Sequence, residues 1–352
     1  MNASFLKLSR ELRAIWMLLL VSVILFIATP LFLTGPNLLN VLLASSVTVL
    51  LASGQTFVIL LGEIDLSVGA VLALSGTTTA IVLQSQPLAV GLAAGLGVGA
   101  LGGLINGLLV TKLRMPSFIA TLASTSAFAG LALFITQGNP VGVKNAGFLA
   151  IGQGRPLTVP MPVWIILIVV AAFGFLLART RFGRYIYATG DNPEASRLSG
   201  IKVHRTTILA FVISGVLASL AGFVLTARLG TAQPTAGNGL ELAAIAAVII
   251  GGTSLAGGRG ALIGTFIGAI LLGVIDNGLN LLDVSPFLQG VVKGLVILFA
   301  VFLDRNSDLI RGLWQLVRPA RKQATPTRNI DDGPANGSPD PQVPTPSIII
   351  RK

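Results

Sequence analysis

Ten apolar stretches, each bounded by polar or Gly/Pro-containing links, set the pattern of this chain. They cover residues 14–33, 38–62, 66–84, 88–111, 117–136, 163–178, 207–228, 242–255, 260–280 and 287–303. Most reach the roughly 17–25 residues a helix needs to cross a hydrocarbon core of about 30 Å. The pattern predicts an all-α, polytopic membrane protein with about ten transmembrane helices. The eighth stretch is short and glycine-interrupted, and is the candidate for a re-entrant rather than a spanning course. Lys7, Arg10 and Arg13 precede the first run as they would in a secretory signal. That run is longer than a signal core and no small-residue cleavage site is convincing, so it reads as an uncleaved first helix.

The links divide the chain into a 1–13 N-terminus, a 14–303 transmembrane domain and a 304–352 tail. Residues 137–162 form a polar loop on one side, and the Arg-rich residues 179–206 form the largest loop on the other. After Gln323 the tail is rich in Pro, Asn, Asp and Gly, a composition that favours disorder.

Composition agrees with lipid as the solvent. Of 352 residues, 53% are hydrophobic and only 11% charged, with mean hydropathy +0.86. A soluble domain carries roughly 25% charged residues. The net charge of +11 would suggest nucleic acid if it formed a patch on a soluble fold, but the basic residues lie between the apolar runs. With the N-terminus in the cytoplasm and ten crossings, twenty of the 24 Lys and Arg fall on the cytoplasmic side. Only Lys144, Arg155 and Arg228 fall outside, and Lys293 lies in the tenth span. The positive-inside rule thus predicts an N-in, C-in topology. No cysteine is present and His204 is the single histidine, so thiolate chemistry, disulfides and a His-ligand cluster are excluded. We expect no metal, no cofactor and no nucleic-acid partner.

Glycines recur every four residues at Gly91, Gly95, Gly99, Gly103 and Gly107, and again at Gly260, Gly264 and Gly268. This spacing lines one helix face with residues that let another backbone approach. Gly97, Gly99 and Gly102 form a G-x-G-x-x-G, but no strand precedes it and it falls inside a membrane helix, so packing is its reading. Two echoes suggest an internal repeat. Asn106-Gly107-Leu108 followed by Pro116 matches Asn277-Gly278-Leu279 followed by Pro286, five spans later and so inverted. Ile59-Leu60-Leu61-Gly62 echoes Val248-Ile249-Ile250-Gly251, at a shift of six spans.

No phosphate loop, H-E-x-x-H or G-x-S-x-G is present, so the chain neither binds ATP in the P-loop manner nor hydrolyses a substrate by these means. Glu63, Asp65, Glu241 and Asp276 are the acids in or near spans, with Lys293 the deep cation. Intramembrane charge is a functional candidate by default. Asp65 is equally placed to cap the third helix, and Lys293 either snorkels outward or meets Asp276.

Four ordered motifs carry a family resemblance. The stretch from Gly62 to Gly69, including Asp65, Leu66 and Ser67, resembles the G-G-I-D-L-S-V-G signature of permease subunits of bacterial ABC importers for ribose, xylose, arabinose, galactosides and autoinducer-2. Arg179–Gly200, the glycine-rich Glu241–Gly260 and the hairpin Asn277–Lys293 are similar to further segments of that family. The resemblance covers roughly residues 15–303. Glu63 stands where glycine is usual and Asp191 at a position often glycine; the long tail is a further departure. The resemblance implies a transport subunit rather than an enzyme, in the bacterial inner membrane. It also implies an ABC ATPase subunit, a second permease subunit (homo- or heterodimer) and a periplasmic or lipid-anchored binding protein that delivers a monosaccharide.

Within the cytoplasmic loop, Asp191 or Asn192 is the cap, Pro193 fits a first turn, and Gly200 is a C-terminal stop. The intervening Glu194, Ala195, Ser196, Arg197, Leu198 and Ser199 form a short helix suited to coupling with the ATPase; the plainer reading is that its arginines only fix topology. Gln55, Asn106, Thr253, Asn277 and Gln289 are the polar pathway candidates, each of which would serve equally to bond a neighbouring helix. Two other readings stand beside the sugar importer: a secondary transporter or channel for a small neutral solute, and a branched-chain amino-acid-type ABC permease.

Overall fold

The structure, a computed structural model, describes residues 3–305. It is built from helices α1 (Ala3–Ala28), α2 (Gly35–Ile59), α3 (Val68–Val82), α4 (Leu88–Thr111), α5 (Ser117–Thr136), α6 (Ala146–Gln153) and α7 (Met161–Arg179). These are followed by α8 (Arg181–Asp191), α9 (Pro193–Leu198), α10 (Val203–Leu229), α11 (Leu240–Ile250), α12 (Leu262–Leu281) and α13 (Pro286–Arg305). Two short strands, β1 (Val141–Gly142) and β2 (Thr231–Ala232), pair antiparallel. The tail beyond residue 305 lies outside the described residues, as do the side chain of Lys293 and its expected meeting with Asp276.

Six helices, α2, α4, α5, α7, α10 and α12, are long and apolar enough to cross a membrane. Four shorter apolar helical stretches lie in α1, α3, α11 and α13. The ten apolar runs of the sequence thus overlap ten helices, but several are shortened; α1, for one, ends at Ala28 where the run reaches 33. At α3 the chain from Leu60 to Ser67 is non-helical. At α11 the helix stops at Ile250, where the sequence suggests 255, because the glycines beyond it adopt left-handed backbone: φ is +88° at Gly252, +83° at Gly257 and +68° at Gly258. α12 starts at Leu262 rather than 260 for the same reason, Gly260 having φ +153°. At the other extreme, α1 begins at Ala3, so helix already occupies most of the expected N-terminal segment.

α10 is the central helix, packed on α2, α3 and α4. The first glycine ridge faces it. A Cβ on Gly103 would run into the Phe211 carbonyl, one on Gly99 into Gly215, and one on Gly107 would lie 2.8 Å from Ile208 Cα. In lipid no hydrophobic effect holds helices together, so this close approach, with its dispersion contacts, supplies the cohesion. It also makes the Gly95 carbonyl reachable, and both Ser75 (2.9 Å) and Ser219 (3.0 Å) donate to it. Within the second ridge, Gly264 and Gly268 serve the same purpose against Gly251 and Ala247 of the α11 segment.

The β1–β2 pair joins the α5–α6 link to the α10–α11 link at one end of the bundle. The α8–α9 pair sits at the other end, where Ile186 packs with Phe57, Leu60, Leu177, Ala210 and Leu262.

Candidate functional site: a glycine-lined hub beneath a buried aspartate

α2 and α11 end alike. In each, a glycine with positive φ follows the last turn, Gly62 (+77°) and Gly252 (+88°). The next residue closes a 6→1 hydrogen bond: Glu63 N donates to Val58 O (3.2 Å) and Thr253 N to Val248 O (3.1 Å). This is the Schellman stop. It aligns Gly62 with Gly252, one residue off the register that the Ile59–Gly62 and Val248–Gly251 echo suggests.

These two helix ends and the end of α8 meet with backbone against backbone. Gly258 N donates to Leu60 O at 2.9 Å. A Cβ on Gly190 would strike that same Leu60 carbonyl, and one on Gly257 would lie 2.8 Å from Gly190 O and 2.9 Å from Gly62 N. Gly258 leaves as little space beside Asp191. Only glycine fits such contacts. Tyr187 Oη donates to Gly260 O at 2.8 Å, and Phe57 stacks on Phe182 with centroids 6.4 Å apart.

Beyond Gly62 the chain rises into the bundle and places Asp65 in its interior, 1% exposed. Asp65 Oδ1 accepts from the Ser67 hydroxyl (2.6 Å) and the Ser67 N–H (3.0 Å), and Oδ2 accepts from Ser214 of α10 (3.0 Å). The Ser67 oxygen in turn accepts from Asn106 Nδ2 of α4 at 2.7 Å. Gln55 of α2 brackets the backbone of the aspartate, donating to Asp65 O (3.3 Å) and accepting from Asp65 N (3.1 Å). From α5, Ser117 Oγ accepts from Ile64 N and Thr121 Oγ1 from Leu66 N, both at 3.1 Å. Four helices thus clamp one turn. Three donors converge on the Asp65 carboxyl with no ion pair to it among the described residues, an arrangement that satisfies a buried polar group by hydrogen bonds alone.

Two of the pathway candidates of the sequence, Gln55 and Asn106, therefore belong to this clamp. Asn277 forms a reciprocal amide pair with Asn37 of α2 at 2.8 and 2.9 Å, and Gln289 donates to Asn280 and Val284. Thr253 is buried beside Gly260, and its Oγ1, like Asn106 Oδ1 and Thr189 Oγ1, has no partner among the described residues.

The capped loop takes the form its sequence suggests. Asn192 Oδ1 accepts from Ala195 N (2.9 Å), Pro193 opens α9, and Gly200 follows it with φ +83°. Ser199 ends the helix as its C-cap rather than extending it. Glu194 and Arg197 pair at 2.6 Å in solvent, and Leu198 is 79% exposed. Hydrogen bonding and charge from Arg197 hold the Glu194 carboxyl below its usual range. Asp191 stands at the end of α8, and α8 itself, which ties α9 to the hub, has no counterpart in the sequence reading.

The long apolar helices are those of a multi-pass membrane protein, and the comparisons place it in the transport-permease class. The family model for the permease component of the branched-chain amino acid transport system matches residues 37–301, and the chain belongs to that family. It is 48% identical to the ribose import permease protein RbsC of Escherichia coli K12 over 303 residues, 85% of this chain and 94% of the relative. Over 294 residues it is 48% identical to RbsC of Bacillus subtilis 168, covering 83% and 91%. It is 41% identical to the L-arabinose transport system permease protein AraH of E. coli K12 over 293 residues, covering 82% and 89%. No solved structure matches the chain. A transport subunit of this kind is not itself an enzyme.

Proposed function

We propose that the chain is the membrane-spanning subunit of an ATP-driven ABC importer that carries a monosaccharide across the cytoplasmic (inner) membrane. The sugar assignment rests on the relatives named for ribose and L-arabinose, each of which this chain covers almost entirely. Ten crossings, N-in and C-in, suit the ten apolar helices and the basic residues that cluster at the α8–α9 end. The inverted repeat has local support: the α4–α5 and α12–α13 links each turn on a left-handed non-glycine residue shortly before a proline, Arg114 (φ +55°) and Asp283 (φ +59°). A second permease subunit, a binding protein and a separate ATPase complete the transporter.

One observation carries the coupling assignment: the Gly190–Leu60–Gly258 knot. Residues 191–200, all but the buried Ser196, stand exposed at the bundle's basic end, yet the knot joins them to the ends of α2 and α11. A push on α9 by a closing ATPase therefore reaches the turn that holds Asp65. Deleting residues 192–199 tests this, with stimulated ATP hydrolysis lost while the chain still inserts. Normal transport by that variant would defeat the assignment. The branched-chain amino-acid reading takes its support from the family description; saturable L-leucine uptake without D-ribose uptake would establish it instead.

A further inference from the structure

The link between α10 and α11 leaves the outer end of the bundle and travels inward without helical structure. Its start, Thr231–Ala232, is fixed to β1, and beyond α11 the chain is fixed where Gly258 N meets Leu60 O. Between these points Gly237 lies directly against Gly69, where an added Cβ would meet the Gly237 carbonyl and lie 2.6 Å from Glu241 Oε2. Gly69 is the second residue of α3, so at 1.5 Å per residue it lies about 20 Å from the outer end of that helix at Val82. The stretch 233–239 thus descends about two-thirds of the way through a core of about 30 Å, and α11 completes the crossing as a half-length helix. This is how the eighth apolar run crosses while being too short to span.

Irregular backbone at such depth is stable only when it is enclosed by protein or lines a water-filled space. Within this chain the stretch is not enclosed: Gln233, Thr235, Asn238 and Gly239 are exposed and Glu241 is partly so. Other exposed faces at mid-span carry carbon, such as Leu167 and Ile168 of α7. Glu241 has no ion pair among the described residues, and Oε1 accepts only from Gly239 N at 3.2 Å, so its carboxyl calls for water.

We infer that residues 233–241 line a water-filled cavity on the transport path, where Asn238 and Glu241 offer an amide and a carboxylate to the hydroxyl groups of a neutral polyol. This rests on the permease reading above. It moves the solute contacts away from Gln55 and Asn277, whose amides are committed within the bundle, and from Asn106, whose amide nitrogen is given to Ser67.

The chain contains no cysteine, so single-cysteine variants report without background. Thr235→Cys, Asn238→Cys and, as the lipid-facing reference, Ile168→Cys are reconstituted with the ATPase and binding protein. A charged methanethiosulfonate reagent is supplied on both faces of the vesicles. Only the thiolate reacts, and hydrocarbon suppresses it, so Thr235→Cys and Asn238→Cys react about tenfold faster than Ile168→Cys or better. Labelling after denaturation in detergent shows that each thiol is present. Reaction at positions 235 and 238 as slow as at 168 overturns the inference. Uptake by the unlabelled Ile168→Cys variant, which lies outside the proposed lining, reports separately on the permease reading, so the two can fail independently.

Discussion

Asp65 is the residue on which the polar interior turns. Asp65→Ala leaves the Ser67 N–H and the hydroxyls of Ser67 and Ser214 without their acceptor, and each buried donor so orphaned costs about 1–3 kcal/mol. We expect a clear fall in unfolding midpoint in detergent, with Asp65→Asn falling less because its carbonyl oxygen still accepts. Equal stability of Asp65→Ala and wild type would refute the clamp. Gly190→Ala tests the knot in the same way: its methyl meets the Leu60 carbonyl, and overpacking of this kind costs about 1–3 kcal/mol. The sequence shows Asp65 ahead of a helix, and an Asx turn to Ser67 is local enough to foresee. Its other partner is not, since Ser214 lies 149 residues away and nothing in a serine marks which helix it will face.

Among the elements, α9 carries the most specific expectations. Gly200→Pro replaces a φ of +83° by one near −65° and removes the N–H that donates to Arg197 O, so the stop after α9 is lost. Insertion persists and stimulated ATP hydrolysis disappears; hydrolysis at the wild-type rate would separate α9 from coupling. The Glu194–Arg197 pair stabilises α9 above the ordinary carboxylate range, and this contribution is lost as pH falls through the lowered pKa of Glu194. Arg197→Ala returns Glu194 to its usual titration range, which carbon-13 NMR of a labelled chain reads directly; an unmoved titration would show that Arg197 is not the cause. α9 was legible because its cap, first-turn proline and terminal glycine are contiguous. The exact ends of α3 and α11 were less so: Glu63, Asp65 and the glycines after Ile250 mark a break in the sequence, but where helix stops is set by the left-handed turns at Gly62 and Gly252 and by what packs on them. α8 was hidden for a related reason: its polar face reads as loop, and its helical structure depends on the ends of α2, α7 and α10 beneath it.

For the whole molecule, charge is scarce: Glu63, Asp65, Glu241 and Asp276 are the acids in or near the apolar runs, and the proposed ABC importer takes its energy from a separate ATPase subunit. The apolar helices and the family were legible from apolar length and four local motifs. The packing of α4 on α10 was half legible, because the glycine ridge shows that a helix approaches without saying which. The central claim is tested most directly in proteoliposomes containing this chain, its ATPase and its binding protein, by uptake of radiolabelled D-ribose and L-arabinose. The account predicts saturable uptake of at least one of these sugars that requires all three components and stops when the ATPase is inactivated. Uptake that survives an inactive ATPase, or no uptake of either sugar by a complex that still hydrolyses ATP in response to its binding protein, would contradict it.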